Sequence, residues 1–354
     1  MAFLKIPNVK VVGIAAGVPR NIINNLEVPY RISPDYENAD FVATTGVVER
    51  HVGYRITTSD LCYAAAERLI SDLGWDRKEI DAIIIVSQTL DYILPATACI
   101  LQERLGLSKE CFAEDIQLGC SGWVYGMATI SGLIQNGSIK KALLMAGDAA
   151  GHAISPEEKW DALFGHAGTV TALEYEDGAE GLKCHFATDG SGYDAIIIPD
   201  GGSRNPITVD SFIEEEFEGK MYNRFESRMK GMDVFAFGIS AAPKSIKRLA
   251  QNFGYDYLDS DYFLFHQANK KMIEMIVKKL KLPVEKVPDG MKYYGNTSSA
   301  SIPLAMVTEL APQLREGHTT LTCCGFGVGL SWGTIRFSTD NLVVSPLIEI
   351  DENE

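Results

Sequence analysis

The sequence predicts an α/β protein made of two similar halves stacked as a five-layered αβαβα body. Three observations predict it. Strand-type apolar runs alternate with helix-type stretches along most of the 354 residues, the order that gives right-handed βαβ units and mixed, mainly parallel sheets. That order repeats. Asp81-Ala-Ile-Ile-Ile-Val86 before its helix is echoed by Asp261-Tyr-Phe-Leu-Phe-His266 before its own. Cys120, its helix and the strand ending in Gly147 are echoed by Asn296, its helix and the strand ending in Gly325. Finally, the length exceeds the usual single domain. The expected halves are residues 1–178, carrying the cysteine, and 179–354, carrying the histidine and asparagine.

Taken in order, residues 8–16 form a β-type run closed by Gly17 and Pro19. Residues 21–40 are polar, broken by Pro29 and Pro34, and read as an irregular excursion or short helix. Ser59 or Asp60 is expected to cap a helix reaching Leu73. Residues 81–87 are continuously apolar, typical of a strand buried on both faces. Pro95 opens a helix through Leu105. A strand over 114–118 and a helix through Leu133 flank Cys120, and strands over 141–147 and 163–173 follow. After a polar joint at 174–181, residues 189–233 read as loop and cap material, glycine-rich and then acidic. Helices are expected over 236–253, 270–280 and 302–314, and strands over 261–265 and 319–324. The tail beyond Asn341 reads as frayed.

With 46% hydrophobic and 22% charged residues, the composition is that of an ordinary soluble globular protein. No apolar run approaches the roughly 18 residues of a transmembrane helix, and Met1-Ala-Phe-Leu-Lys-Ile-Pro7 lacks a signal peptide's apolar region. Seven cysteines, an odd number including adjacent Cys323 and Cys324, make no disulfide framework, and no Cys-x-x-Cys pair suggests zinc. A cytoplasmic, reducing location without a membrane partner is expected. A net charge of −15 argues against nucleic acid. It would also repel an acidic protein unless basic residues gather at one place.

The densest chemistry lies in Asp115-Ile-Gln-Leu-Gly-Cys-Ser-Gly-Trp123. A cysteine at a strand-to-helix corner meets unpaired backbone N–H groups and the positive end of a helix dipole. That setting lowers a thiol's pKa and favours the nucleophilic thiolate. Gly119, Ser121 and Gly122 would leave room for substrate. Alone, Cys120 reads more readily as a small buried hydrophobe than as a nucleophile. Far down the chain, Phe263-Leu-Phe-His-Gln-Ala-Asn269 delivers His266 at a strand end, and Tyr294-Gly-Asn-Thr-Ser-Ser-Ala-Ser-Ile-Pro303 places Asn296 in a small-residue corner. Each alone reads as a core, turn or capping residue. Chemistry in open α/β sheets sits at the carboxyl ends of strands, so the three are expected at one crevice between the halves.

Together with Gly325-Phe-Gly-Val-Gly-Leu-Ser-Trp-Gly333, these segments resemble the β-ketoacyl-acyl-carrier-protein synthase III family of the thiolase superfamily, in its order and spacing, from about Val9 to Phe337. The resemblance implies the thiolase-like five-layered fold, a homodimer, and a two-stage condensation without metal, flavin or nucleotide cofactor. Cys120 would take an acyl group from acyl-coenzyme A or an acyl-carrier protein (acyl-ACP). Malonyl-ACP would then lose carbon dioxide, with His266 and Asn296 donating hydrogen bonds to the enolate oxygen. Backbone N–H groups of Cys120 and Val328 would form the oxyanion hole. Lys271, Lys278 and Lys279, joined by Lys270, match a basic face that receives the acidic carrier protein; the bland reading is a solvated helix face.

Three departures stand out. Where short-chain family members hold the adenine of coenzyme A between a Trp and an Arg, this chain has Asp40 and Glu158, with Thr44 replacing another basic residue. A His replaces the Asp of the family's Phe-Gly-Asp segment, at His166. Leu94 occupies the place of an aromatic gate in a loop that, in the family, reaches the partner subunit's acyl pocket. A donor that is longer, or carried on protein, is expected. The alternatives are a same-fold acyltransferase acting on an alcohol or amine, a hydroxymethylglutaryl-type synthase and a non-catalytic partner subunit. Asn296, the lack of an acidic residue near Cys120 in that synthase's manner, and the intact Cys/His/Asn set argue against them in turn.

Overall fold

In the computed structural model, which describes residues 2–30, 32, 37–149 and 161–352, the period-2 pattern of the apolar strands becomes two opposite cores. Ile83 and Ile85 enter one, and Ala82, Ile84 and Val86 the other. The main strands are β1 (Ala2–Ile6), β2 (Val9–Pro19), β3 (Ala82–Val86), β4 (Phe112–Ile116), β5 (Lys141–Asp148) and β6 (Ala167–Tyr175). They continue as β7 (Leu182–Thr188), β8 (Tyr262–Phe265), β9 (His318–Gly327), β10 (Ser331–Asp340), β11 (Val343–Val344) and β12 (Ile348–Ile350). The helices are α1 (Asn38–Thr45), α2 (Thr58–Leu73), α3 (Thr97–Arg104), α4 (Gly122–Ile134) and α5 (Gly231–Phe253). They are followed by α6 (Lys270–Leu280), α7 (Met291–Tyr294), α8 (Ser301–Glu309) and α9 (Ala311–Arg315).

One sheet runs β11-β2-β6-β5-β3-β4, with β12 also on β2, and the other β1-β7-β10-β9-β8. Helices α2 and α3 cover the outer face of the first, α5 and α6 that of the second, and α4 and α8 pack between them. This is the five-layered α/β body of the thiolase fold. The duplication extends to single hydrogen bonds. Asp81 donates its N–H to Lys141 O and accepts from Lys140 N through its carboxylate. Asp261 likewise donates to Thr320 O and accepts from Thr320 N. The pairing β3-β5-β6-β2 is parallel, antiparallel, antiparallel, and β8-β9-β10-β7 repeats it. The second sheet is therefore mainly antiparallel rather than parallel, because β9 turns straight back into β10.

Local structure departs from expectation where side chains override pattern. Thr57, not Ser59 or Asp60, caps α2, with Asp60 completing a capping box. Helix α3 begins at Thr97 rather than Pro95, because the Asp115 carboxylate accepts from the N–H groups of Thr97 and Ala98. The helix expected over 302–314 is two, with Pro312 in the first turn of the second, where its missing N–H has no intrahelical partner to lose. The tail beyond Asn341 contains β11 and β12. The chain ends also trade sides: β1 pairs with β7 in the second sheet, and β11 and β12 with β2 in the first.

Candidate active site

Cys120 stands at the mouth of α4, between the end of β4 and the N-cap residue Ser121. The glycines around it serve close packing rather than open space. A Cβ on Gly119 would lie 2.1 Å from Gln88 Oε1, and one on Gly122 2.4 Å from Val86 Cγ1. His266 follows β8 and extends its ladder through an N–H bond to Cys324 O of 2.9 Å. Asn296 follows α7 and is pinned to the first half by N–H donation to Leu163 O at 2.9 Å. All three therefore sit at element ends facing the seam between halves.

Ser298 links them. Its Oγ lies 3.9 Å from Cys120 Sγ, its N–H donates to Asn296 Oδ1 at 2.9 Å, and a backbone hydrogen bond joins it to the His266 ring. It holds φ of +51°, the left-handed region that non-glycine residues adopt only where the surroundings impose it. With Oδ1 engaged, Asn296 keeps its side-chain NH2 as the remaining donor. His266 is 2% exposed, and burial lowers its pKa from 6.5 to about 3, so the ring is neutral at physiological pH. Ser301 Oγ accepts from Gln267 N and lies 2.9 Å from His266 Nδ1. Donation from Nε2 requires the tautomer in which the Ser301 hydroxyl gives its hydrogen to Nδ1.

The expected low thiol pKa is not what the structure gives. Burial pushes Cys120 from 9.0 up to about 12, and the Asp148 carboxylate pushes the same way. The Ser298 hydroxyl and backbone groups of Cys120 and Val328 oppose them. The two backbone sites predicted for an oxyanion hole therefore converge on the sulfur. Val328 is held in turn by Ser331, whose Oγ donates to Val328 O at 2.7 Å and meets Ser121 Oγ at 2.6 Å.

The other predicted residues are placed as follows. Lys270, Lys271, Lys278 and Lys279 are all exposed on α6. Lys271 shares a cavity of about 150 Å³ with Phe41, Thr44, Thr45, Phe235 and Asn269. Asp40 is exposed on α1, beside α6, and Glu158 lies outside the described residues. Leu94 projects away from its own chain, 79% exposed, next to Ile93 at 97%. His166 is buried and hydrogen-bonded to Gly53 and to His51 O. Among the described residues no cluster suited to a metal ion occurs, no helix is long and apolar enough to cross a membrane, and every cysteine is an unpaired thiol. Ser298 and Asp148 were not singled out by sequence reasoning. The signals available were a carboxylate closing the apolar run 142–147 of β5 and a hydroxyl two residues after Asn296.

A half-buried cysteine, a neutral histidine and an oriented amide thus meet in a duplicated five-layered fold of the thiolase type, an arrangement able to take up and pass on an acyl group. Residues 114–190 match the family model "3-Oxoacyl-[acyl-carrier-protein (ACP)] synthase III", and residues 249–338 its C-terminal counterpart. A β-ketoacyl-[acyl-carrier-protein] synthase III of Desulfitobacterium hafniense is 32% identical over 92% of this chain and 96% of its own. One of Rhodopirellula baltica is 33% identical over 93% and 98%. The crystal structure of a 3-oxoacyl-(acyl-carrier protein) synthase from Burkholderia xenovorans superposes with a TM-score of 0.91, at 38% identity and 99% coverage of both chains. The chain belongs to the β-ketoacyl-acyl-carrier-protein synthase III family and is a condensing acyltransferase.

Proposed function

We propose that Cys120, His266 and Asn296 carry a decarboxylative Claisen condensation in two stages. In the first, the Cys120 sulfur attacks the carbonyl of an acyl thioester, the bond to the departing sulfur breaks, and the thiol proton leaves with it. Cys120 rests as a neutral thiol, so its proton must be lost as the sulfur attacks; the raised pKa makes the sulfur more nucleophilic but lowers its thiolate fraction by more. In the second, the malonyl carboxylate of a malonyl-carrier thioester departs as carbon dioxide and its electron pair enters the enolate. Nε2–H of His266 and the NH2 of Asn296 stabilise that oxygen; such preorganised donors are worth about 2.7–4 kcal/mol each. The enolate carbon attacks the acyl-Cys120 carbonyl, whose oxyanion rests on the N–H groups of Cys120 and Val328. The carbon–sulfur bond breaks, a 3-ketoacyl thioester leaves, and the thiolate takes up a proton.

The observation that carries this reading is Ser298, which touches cysteine, histidine and asparagine at once. Acylation followed by intact mass tests it. Cys120→Ala should abolish a modification that changes at the other six cysteines leave intact, and acylation persisting in Cys120→Ala sinks the mechanism. His266→Ala and Asn296→Ala should acylate yet fail to decarboxylate malonyl-carrier.

The α6 lysines support docking of an acidic carrier protein, and exposed Asp40, with Thr44 in the cavity wall where a basic residue could stand, disfavours the phosphates of coenzyme A. We therefore assign the acyl donor preferentially to a carrier. A homodimer is supported by β4, which is a sheet edge with Phe112 exposed, and by the projecting apolar segment Tyr92-Ile93-Leu94, whose Leu94 would line the partner's acyl pocket. Edges of this kind need a cover. Sedimentation as a monomer at micromolar concentration rules the homodimer out. Seven unpaired thiols fit a reducing cytoplasm, a placement that fractionation of the native host would test.

A further inference from the structure

Asp148 ends β5 at the seam between the halves, 5% exposed. It forms no ion pair among the described residues. Its carboxylate is met instead by hydroxyls and an amide from two directions. From the first half, Ser87 Oγ donates at 3.0 Å, Gln88 N at 2.7 Å and Thr89 Oγ1 at 3.1 Å, all to Oδ1. From the second half, Ser299 Oγ donates to Oδ2 at 3.3 Å, and the Ser298 side chain bonds to the same carboxylate. Ser299 Oγ is also 3.3 Å from Val86 O, so its one hydrogen is shared between the two acceptors. Gln88 N–H can only donate, and the four hydroxyls can each turn a hydrogen toward the carboxylate, which accepts from all of them.

We propose that Asp148 is a positioning residue that clamps the turn 296–299 of the second half onto the strand ends of the first. It thereby holds the Asn296 amide in register with Cys120. The argument is geometric. Asn296 is oriented by Ser298 N–H, and Ser298 occupies a left-handed conformation that a serine does not prefer. Something must hold that turn, and Asp148 is the charged group bonded to both of its serines. These donors offset part of the cost of burying a carboxylate, and burial still raises the Asp148 pKa above 3.8. The carboxylate has a second effect on the same site, raising the pKa of Cys120 in its own half. Besides Cys120, the titratable group facing it is Cys62 on α2, whose pKa it also raises.

This inference rests on the assignment of Asn296 to decarboxylation, so the test carries Asn296→Ala as a reference. Asp148→Asn keeps the shape, removes the charge and places an NH2 where acceptors are needed. Ser299→Ala removes one donor and keeps the charge. Three quantities are measured on the full-length enzyme: Cys120 acylation from a small synthetic thioester, carbon dioxide release from malonyl-carrier, and the pH dependence of Cys120 alkylation. In Asp148→Asn, carbon dioxide release should fall about tenfold or more, as misplacement of a catalytic donor does, with acylation far less affected. Its alkylation curve should move to lower pH. In Ser299→Ala release should fall about threefold, the worth of one hydrogen bond, with the alkylation curve unmoved.

Wild-type carbon dioxide release in Asp148→Asn, or both stages falling in proportion, overturns the proposal. If Asp148→Asn does not fold, Ser299→Ala decides it: wild-type release there overturns the clamp. Wild-type release in Asn296→Ala defeats the underlying assignment instead. Impaired Asn296→Ala beside unimpaired Asp148→Asn and Ser299→Ala defeats only the inference about Asp148.

Discussion

Gly327, the last residue of β9, closes on Cys120 so tightly that a Cβ on it would lie 2.5 Å from Cys120 Cβ and 3.0 Å from its Sγ. The nucleophile is thus walled by backbone from the other half of the molecule. Gly327→Ala should drive the cysteine side chain off its position, at an overpacking cost of about 1–3 kcal/mol. The expected outcome is a lower unfolding midpoint and a much slower acylation by intact mass. Wild-type acylation with an unchanged midpoint would show that the wall yields freely.

Resting Cys120 is a thiol, not a thiolate. Burial and Asp148 raise its pKa from 9.0 to about 12, so its alkylation by iodoacetamide should keep accelerating as pH rises past 9.0. Exposed Cys99 serves as the internal comparison by peptide mapping. A Cys120 rate already level at about pH 8, the midpoint range of an ordinary free thiol, contradicts this.

Two buried histidines make the fold acid-sensitive. His266 is lowered to about 3 and His185 to about 4, both by burial, from 6.5. The unfolded chain then binds more protons than the native one between those values and 6.5. Their contribution to stability is complete above pH 6.5 and is lost as pH falls toward about 4, with a slope approaching roughly 1.4 kcal/mol per unit for each histidine. His185→Gln, remote from the reacting groups and bonded to Ser245, should flatten the slope in urea titrations between pH 6.5 and about 5, where carboxylates contribute little. An unchanged slope would remove His185 from the account.

The α6 lysines should matter only for a protein-borne donor. Reversing Lys271 and Lys278 to Glu should slow acylation from an acyl-carrier and flatten its salt dependence, because contacts between charged surfaces mainly set the encounter rate. A small synthetic thioester should be unaffected. Saturable use of acetyl-coenzyme A, indifferent to both reversals, would place the donor on coenzyme A instead.

Much of this was legible because it is local. The helix expected over 270–280 is α6 to the residue, since Asn269 caps it and its apolar positions keep one period. The strand expected over 114–118 lies two residues earlier, as β4, because the register is set by pairing with β3 rather than by the apolar count. Strands β7 and β10 carry polar residues between their apolar ones and were missed. What could not be read at all is the environment of Cys120. Its neighbours Asp148, Ser298 and Gly327 come from other strand ends and turns; burial among them and the Asp148 carboxylate turn an expected low pKa into a high one, with Ser298 opposing. Local sequence shows a helix mouth but not how dry it is.

The exchange of chain ends bears on how the molecule is made. A ribosome delivers β2 early, yet β11 and β12, which flank it, emerge last, while β1 must wait for β7. Neither sheet can be finished by a nascent chain on its own schedule. The first half must stand with an open edge until synthesis is nearly complete, an aggregation hazard that chaperones exist to cover. Shortening the chain before Val343 should therefore be felt at β2, the far end of the sequence, and appear as poor yield rather than as a trimmed enzyme.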